Sequence, residues 1–184
     1  MYPYFRMIVN SAIAHRLPKL HWSGVHHSTH VCLPWDIDPW RELNNGRTLT
    51  LYDLARIPFA QRTGMTAMLR REGWGMAVAG ASVRYRQRVR MFDRLRIRSR
   101  LLGWDARFLY LEQSMWLDNG ACASHALFRS AVTDRNGIVT LDRVTTALGI
   151  DDPSPPLPRW AQAWVNAEAQ RDWPPMQDAA PSAP

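Results

Sequence analysis

The sequence predicts an α+β fold in which an antiparallel sheet wraps around one long helix. The first observation behind this is a helical pattern after Asn44-Asn45-Gly46, where Leu51, Leu54/Ala55 and Phe59 recur at the spacing of one helix face. The second is a change of period after Gly73, where long segments alternate every two residues. The third is the kind of connection between those segments. Asp118-Asn119-Gly120 and Asp134-Arg135-Asn136-Gly137 are tight hairpin signals, so consecutive strands run antiparallel. A meander of this kind needs one face covered, and the long helix ahead of it is the element available to do so.

Taken in order, residues 1–20 read as a short helix with Tyr4, Phe5, Ile8 and Ala12 on one side, ended by Pro18 and packed on the domain as an appendage. A histidine-rich loop follows, with His21, His26, His27, His30 and then Cys32. These are zinc-ligand types, but they crowd together without a distant second ligand pair, so satisfied or exposed histidines are the reading and no metal is expected. Residues 29–35 read as a first strand delivering Asp36 and Asp38 to a turn. The long helix is expected over 48–63, with Thr50 and Asp53 as a capping box, Pro58 as a kink or local irregularity, and Gly64 as the stop. A shorter helix, Thr66 to Glu72, ends at Gly73.

Gly75 to Met91 reads as one long strand. Its first half is apolar on both parities and is expected to be buried on both faces. Its second half places Arg84, Arg86, Arg88 and Arg90 on one face. Arg96, Arg98 and Arg100 repeat the alternation on the next strand, opposite Leu95, Ile97 and Ser99. An arginine-lined face of this size must meet solvent, an acidic partner or phosphate. Strands over 106–117 and 121–133 follow, then a short helix from Leu141 to Leu148 stopped at Gly149. Asp151 to Pro158 is an extended linker, and a helix from Arg159 carries Trp160, Trp164 and Ala167 on one side. The expected organisation is an appendage and loop (1–27), the main domain (28–150), a Pro-rich linker with a C-terminal helix (151–172) and a disordered tail (173–184).

The net charge of +7 is almost wholly arginine, since Lys19 is the only lysine. It suits a polyanionic partner, such as a phosphate-bearing cofactor, nucleic acid or an anionic membrane; base composition of the encoding genome is the plain alternative. No apolar run approaches the roughly 18–20 residues of a membrane span. Arg6 is the first basic residue and precedes only three apolar ones, a poor signal peptide, although an N-terminal helix could make peripheral membrane contact. Cys32 and Cys122 form no C-x-x-C pair and read as reduced packing residues of a cytoplasmic protein.

The chemistry concentrates before the long helix, in Asp36, Asp38, Glu42 and Asn44-Asn45-Gly46. Unpaired N–H groups at a helix start can hold an oxyanion, and a carboxylate at its mouth can act as base or nucleophile. Each residue has a plainer reading. Asp38 can cap the turn, Glu42 can pair with Arg41 or Arg47, and Asp53 sits three residues before Arg56, where a local ion pair is favoured.

The segment from Asp38 through Asn44-Asn45-Gly46-Arg47, with the Leu51-Tyr-Asp-Leu-Ala-Arg56 helix, resembles the D-x-x-x-H-x-N-N signature of hotdog-fold acyl-CoA thioesterases. The resemblance continues through Ala79 to Arg86, Gly103 to Glu112 and Ser154 to Pro158, over roughly residues 28–165, and is strongest with the thioesterase-superfamily-member-6-like branch. It implies the hotdog fold, thioester hydrolysis without metal or redox cofactor, and a homodimer or tetramer with sites between subunits. It implies Asp38 as base or nucleophile, Asn44 as a side-chain donor, and Asn45 and Gly46 as backbone donors to the carbonyl oxygen. Arg84, Arg86, Arg88 and Arg90 are candidates for the phosphates of coenzyme A. The histidine usual in the family is replaced here by Glu42, which either takes over acid–base work or marks altered activity.

Two other readings carry less weight. A hotdog protein that binds acyl-CoA without turnover is favoured by the Glu42 replacement. Nucleic-acid binding through the arginine strands would call for aromatics interleaved with the arginines, and Tyr85 lies on the opposite parity from Arg84 and Arg86. A dehydratase of the same fold uses a helix histidine, which this helix lacks.

Overall fold

The computed structural model describes residues 2–175, so the tail expected beyond residue 173 lies largely outside the described residues. Helix α1 (Tyr4–Arg16) leads into strand β1 (His26–Val31), a single 3-10 turn at Pro34–Asp36, and the long helix α2 (Asn45–Arg62). Helix α3 (Met65–Glu72) follows, then β2 (Gly75–Tyr85), β3 (Arg94–Trp104), β4 (Leu109–Leu117), β5 (Cys122–Asp134) and the short β6 (Gly137–Ile138). Helices α4 (Leu141–Leu148) and α5 (Arg159–Ala169) close the described chain. The antiparallel sheet has the order β1-β3-β4-β5-β2, with β6 paired to β5. It curls around α2, as the period change and the hairpin turns predict.

Alternation divides the sheet cleanly. Leu95, Ile97 and Ser99 of β3, Leu111, Gln113 and Met115 of β4, and Ser124, Ala126 and Phe128 of β5 face α2, which contributes Leu51, Tyr52, Leu54, Ala55 and Phe59. Each large apolar side chain buried here stabilises the fold by roughly 1.5–3 kcal/mol. On the other face, α5 covers Leu102, Tyr110 and Leu127 with Ala161. The linker before α5 lies directly on β3, where Ser154 Oγ accepts from Trp104 N–H at 2.7 Å. Gly103 makes this approach feasible, because a Cβ there would stand 2.8 Å from Pro155 O.

Several expectations are corrected. The long helix starts at Asn45 rather than Thr48, because Asn44 is its cap: its Oδ1 accepts from Gly46 N–H at 2.8 Å and Arg47 N–H at 3.3 Å. Thr50 is inside the helix, its hydroxyl donating back to Gly46 O, so Thr50 and Asp53 form no capping box. The helix runs on through Pro58. Strand β1 ends at Val31, before the predicted 35, since Pro34 has no N–H to donate and starts a 3-10 turn.

Strand β2 ends at Tyr85, so Arg86, Arg88 and Arg90 belong to a loop and only Arg84 to the strand. The N–H groups of Arg86 and Gln87 both go to Ala123 O, which breaks the ladder. Nor is the first half of β2 buried on both faces in the single chain, because β2 is the sheet edge and Met76 and Val78 stand exposed. Helix α1 also lies the other way round from the prediction. Tyr4, Phe5 and Ile8 face outward, while Met7 and Ala14 pack inward. Among the described residues, no helix is long and apolar enough to cross a membrane.

Candidate active site

The turn before α2 is pinned by two carboxylates with different tasks. Asp36, 2% exposed, sits 2.8 Å from Arg6 and 3.9 Å from Arg47, and accepts the Leu33 N–H at 3.1 Å. Arg6 also donates to Val31 O at 2.9 Å, so this ion pair ties α1 to the turn. Asp38 Oδ1 accepts from Trp40 N–H at 2.9 Å and Glu42 N–H at 3.2 Å, while Asp38 N–H donates to Glu42 O at 2.8 Å. The loop between them is tight enough to hold Arg41 at φ 62°.

A cavity of about 260 Å³ opens at the N-terminus of α2. Glu42, Asn45 and Thr48 line one side, Arg86 and Arg88 the other, and Ser124 the floor. Of the sequence-derived candidates, Glu42, Asn45, Arg86 and Arg88 therefore meet at one cavity. Asp38 is not among its lining residues; it stands behind Glu42. Asn44 acts through its oxygen as the helix cap, and that oxygen takes up the N–H of Gly46. The Asn45 N–H is the member of the first turn left without a hydrogen bond among the described residues. Glu42 forms an ion pair with Arg88 at 3.0 Å, with both side chains partly open to solvent. Arg84 lies on the opposite sheet face, level with His125, and Arg90 lies farther along the loop.

Two features were not read from the sequence. Beneath α2, the fully buried Gln113 donates to Tyr52 O at 3.0 Å and Ser99 Oγ at 2.8 Å, and accepts from Arg56 at 3.3 Å. Arg56, paired with Asp53 as its spacing suggested, lies 4.3 Å over the Phe128 ring. Burial pushes its pKa down, and Asp53 opposes that. Tyr52 OH and Ser124 Oγ, 2.8 Å apart, continue the polar seam to the cavity floor. A period-two pattern marks Gln113 as inward-facing, which is the one signal that could have found it.

The second feature is Phe92, an exposed aromatic held at φ 70°. This left-handed backbone costs a non-glycine residue about 1–2 kcal/mol. The surrounding turn fixes it: Phe92 N–H donates to Cys32 O at 2.7 Å, and Arg90 N–H donates to Asp93 Oδ2 at 2.7 Å.

Of the histidines, His26 and His30 are buried on β1 and lose proton affinity to about 4. Burial is the main cause, with Arg62 beside His26 and Arg6 beside His30. Among the described residues no group of three or more His, Cys, Asp or Glu converges as a metal site. Burial raises the Cys32 thiol to about 11. On the outer sheet face, Glu112 is held below its usual value by the hydrogen bond with His125 and by Arg100, against the opposing effect of burial.

A family model described as the thioesterase-like superfamily matches residues 32–165. The chain belongs to the thioesterase-like superfamily. Its hotdog architecture is shared with solved structures. The probable thioesterase YbaW of Escherichia coli superposes with a TM-score of 0.63 at 19% identity, over 67% of this chain and 96% of that one. A DHNA-CoA thioesterase of Staphylococcus aureus does so with a TM-score of 0.59 at 14% identity, over 79% and 91%. Among curated relatives, Protein THEM6 of Xenopus laevis is 36% identical over 88 residues, covering 48% of this chain and 42% of the relative. The matched stretches span less than two thirds of the curated relatives' own length.

Proposed function

We propose that this hotdog chain hydrolyses acyl thioesters of coenzyme A and works as a homo-oligomer. The observation that carries the reading is the cavity at the start of α2, where an uncommitted N–H, a carboxylate and two arginines meet. The thioester carbonyl oxygen lies at the Asn45 N–H, where the positive end of the helix dipole favours the oxyanion. Glu42 takes a proton from water as the water oxygen attacks the carbonyl carbon. The tetrahedral intermediate collapses with cleavage of the carbon–sulfur bond, and the proton on Glu42 passes to the departing thiolate. The products are a carboxylic acid and a thiol, with no cofactor consumed. Asp38, which the resemblance implies as base, serves here by fixing the Glu42 backbone through its Oδ1, and Arg86 and Arg88 approach the phosphates.

The edge strand supports an oligomer. β2 presents unpaired backbone groups beside exposed Met76 and Val78, and its last residue, Tyr85, borders the cavity. An open apolar edge invites pairing with another strand, and a second copy joined through β2 about a two-fold axis satisfies both edges at once.

Thiol release from short, medium, long and aromatic acyl-CoAs tests the reading, alongside the mass of the particle by light scattering. Glu42→Gln is expected to lower kcat by about 10²–10⁴-fold in a folded protein, with Asp38→Asn acting mainly on stability. A dead but folded Asp38→Asn beside an active Glu42→Gln would move the base back to Asp38. Binding of every acyl-CoA with turnover of none would instead support a non-catalytic acyl-CoA-binding protein.

A further inference from the structure

The outer face of the sheet, turned away from α2, carries a polar cluster that the proposed hydrolysis does not use. Register sets His27, Arg98, Ser114 and His125 opposite one another on β1, β3, β4 and β5, as one row across four strands. Helix α5 covers the neighbouring part of this face over Leu102, Tyr110 and Leu127, and its first turn brings the Trp160 ring to 5.0 Å from the His125 ring. Beside it lies an open groove of about 430 Å³ lined by that row together with Val25, Arg100, Glu112 and Trp116. Its size falls within the roughly 300–1,000 Å³ of small-molecule sites. We infer that this groove binds a small organic monocarboxylate with an apolar body, held by the guanidinium fork of Arg98.

The commitments of the lining residues single out Arg98. The one carboxylate in the lining, Glu112, is taken up on both oxygens, accepting from Arg100 at 2.5 Å and from the His125 ring at 2.7 Å. Arg98 has no carboxylate partner and gives no hydrogen bond among the described residues; its guanidinium lies 4.9 Å over the Trp116 ring. Stacking fixes the plane of the fork and leaves its N–H edge open, the geometry that takes a carboxylate through two parallel hydrogen bonds. The Trp116 indole N–H donates to Ser114 Oγ at 2.8 Å, so the Ser114 hydroxyl keeps its own proton to give. Charge then sets the class of ligand. Leaving the histidines aside, the lining carries Arg98 and Arg100 against Glu112, a net charge of +1. A monocarboxylate balances that charge, whereas a nucleotide with several phosphates would exceed it. The Trp116 ring and Val25 supply apolar surface for the body of the ligand. The groove and the cavity at the start of α2 share no lining residue, so the inference does not rest on the thioesterase reading.

Benzoate and hexanoate are the probes, titrated into the full chain by ligand-detected NMR. Benzamide serves as the neutral match of benzoate, and inorganic phosphate as an anion without an apolar body. At least one of the two carboxylates is expected to bind about tenfold or more tightly than either control, and more weakly as salt is raised. Arg98→Gln, at an exposed position, is expected to weaken that carboxylate at least tenfold while the urea midpoint stays that of the parent. A carboxylic acid is also the product of the proposed hydrolysis, so Arg86→Gln with Arg88→Gln separates the two places. Affinity within about twofold of the parent in that double variant is expected for a ligand in the groove. Loss in the double variant with none in Arg98→Gln would put the carboxylate in the cavity and overturn the groove as its site. Binding of neither carboxylate, benzamide bound as tightly as benzoate, or phosphate bound more tightly than both acids would each overturn it as well.

Discussion

On the turn side of the cavity, polar groups are spent on the chain itself. Asp36 holds Arg6 and the Leu33 N–H, Asp38 Oδ1 holds two backbone donors, and Asn44 caps α2. Across the cavity, the loop from Arg86 to Arg94 fixes its backbone to Ala123, Cys32 and Asp93 but leaves the guanidinium groups of Arg86, Arg90 and Arg94 without a protein partner among the described residues. The same residue classes thus build a rigid wall and a receptive one. At Asp36 the reason is burial, whereas the half-buried Asp38 and the exposed Asn44 are taken up by backbone N–H groups of their own turn. A charged group taken out of water must be paired within the fold, whereas a solvated arginine on a fixed loop loses little by waiting for an anion. Substitutions at Asp36, Asp38 and Asn44 should therefore be read out as stability, and those on the loop side as binding.

The largest break in that contrast is expected at Asp36. Asp36→Ala leaves the half-buried Arg6 without its counter-charge and the Leu33 N–H without its acceptor. Losing one member of a buried pair typically costs about 3–5 kcal/mol, which for a chain of this size lowers the melting temperature on the order of 10 °C. Urea and thermal melts give the number. A variant as stable as the parent would mean that the Arg6–Asp36 pair does not hold α1 to the turn.

Next in size is the response to acid, again on the buttressed side. His26 and His30 accept protons in the unfolded chain below their ordinary 6.5, but in the folded chain only near 4. The unfolded state therefore binds more protons in between, and stability falls as pH drops from 6.5 toward 4, by about 2 kcal/mol for each histidine between pH 7 and 5. The carboxylate of Glu112 acts in a lower window. Its folded value is depressed, so its contribution is present above 4.5 and lost as pH falls through that folded value. Urea midpoints at pH 7, 6 and 5 check the histidine window, and His30→Gln should make the slope shallower by about half. A flat midpoint between pH 7 and 5 would remove both histidines from the account.

How much of this contrast is legible in sequence depends on whether a residue has one physical use or several. The meander is legible because Asp118-Asn119-Gly120 and the Asp134–Gly137 turn have few other uses. Helix α4 is legible to the residue because Gly149 ends it in a left-handed conformation that glycine favours. The start of α2 is misread by three residues because Asn44 and Thr50 are both competent caps, and only tertiary position shows that Asn44 reaches the free N–H groups. The facing of α1 is hidden for a similar reason. Both of its sides carry apolar residues, and Arg6 turns inward because Asp36 and the Val31 carbonyl wait there, far away in sequence. The arginine alternation runs on past Tyr85 although the strand does not, since a period of two records side-chain type and not the hydrogen bonds of Arg86 and Gln87 to one carbonyl. Of the candidate site, the turn itself was legible. Which carboxylate borders the cavity was not, because Asp38 and Glu42 differ only in how their loop folds back.

The smallest expected effect on folding is also the sharpest test of the two-wall contrast. Arg88 and Glu42 form an ion pair at the cavity, 3.0 Å apart, with the arginine largely in solvent. Exposed pairs of this kind contribute about 0.2–1 kcal/mol, so Arg88→Gln should leave the urea midpoint nearly unmoved. Its effect on turnover should be of another order. Without Arg88, Glu42 loses its ion-pair partner, and the substrate loses a cation that lines the cavity. KM for acyl-CoA should rise several-fold, and the rise should shrink at high salt, where screening weakens the contact in the parent as well. If stability drops by several kcal/mol while KM stays put, Arg88 belongs to the structural wall, and the division between the two sides of the cavity would have to be drawn elsewhere.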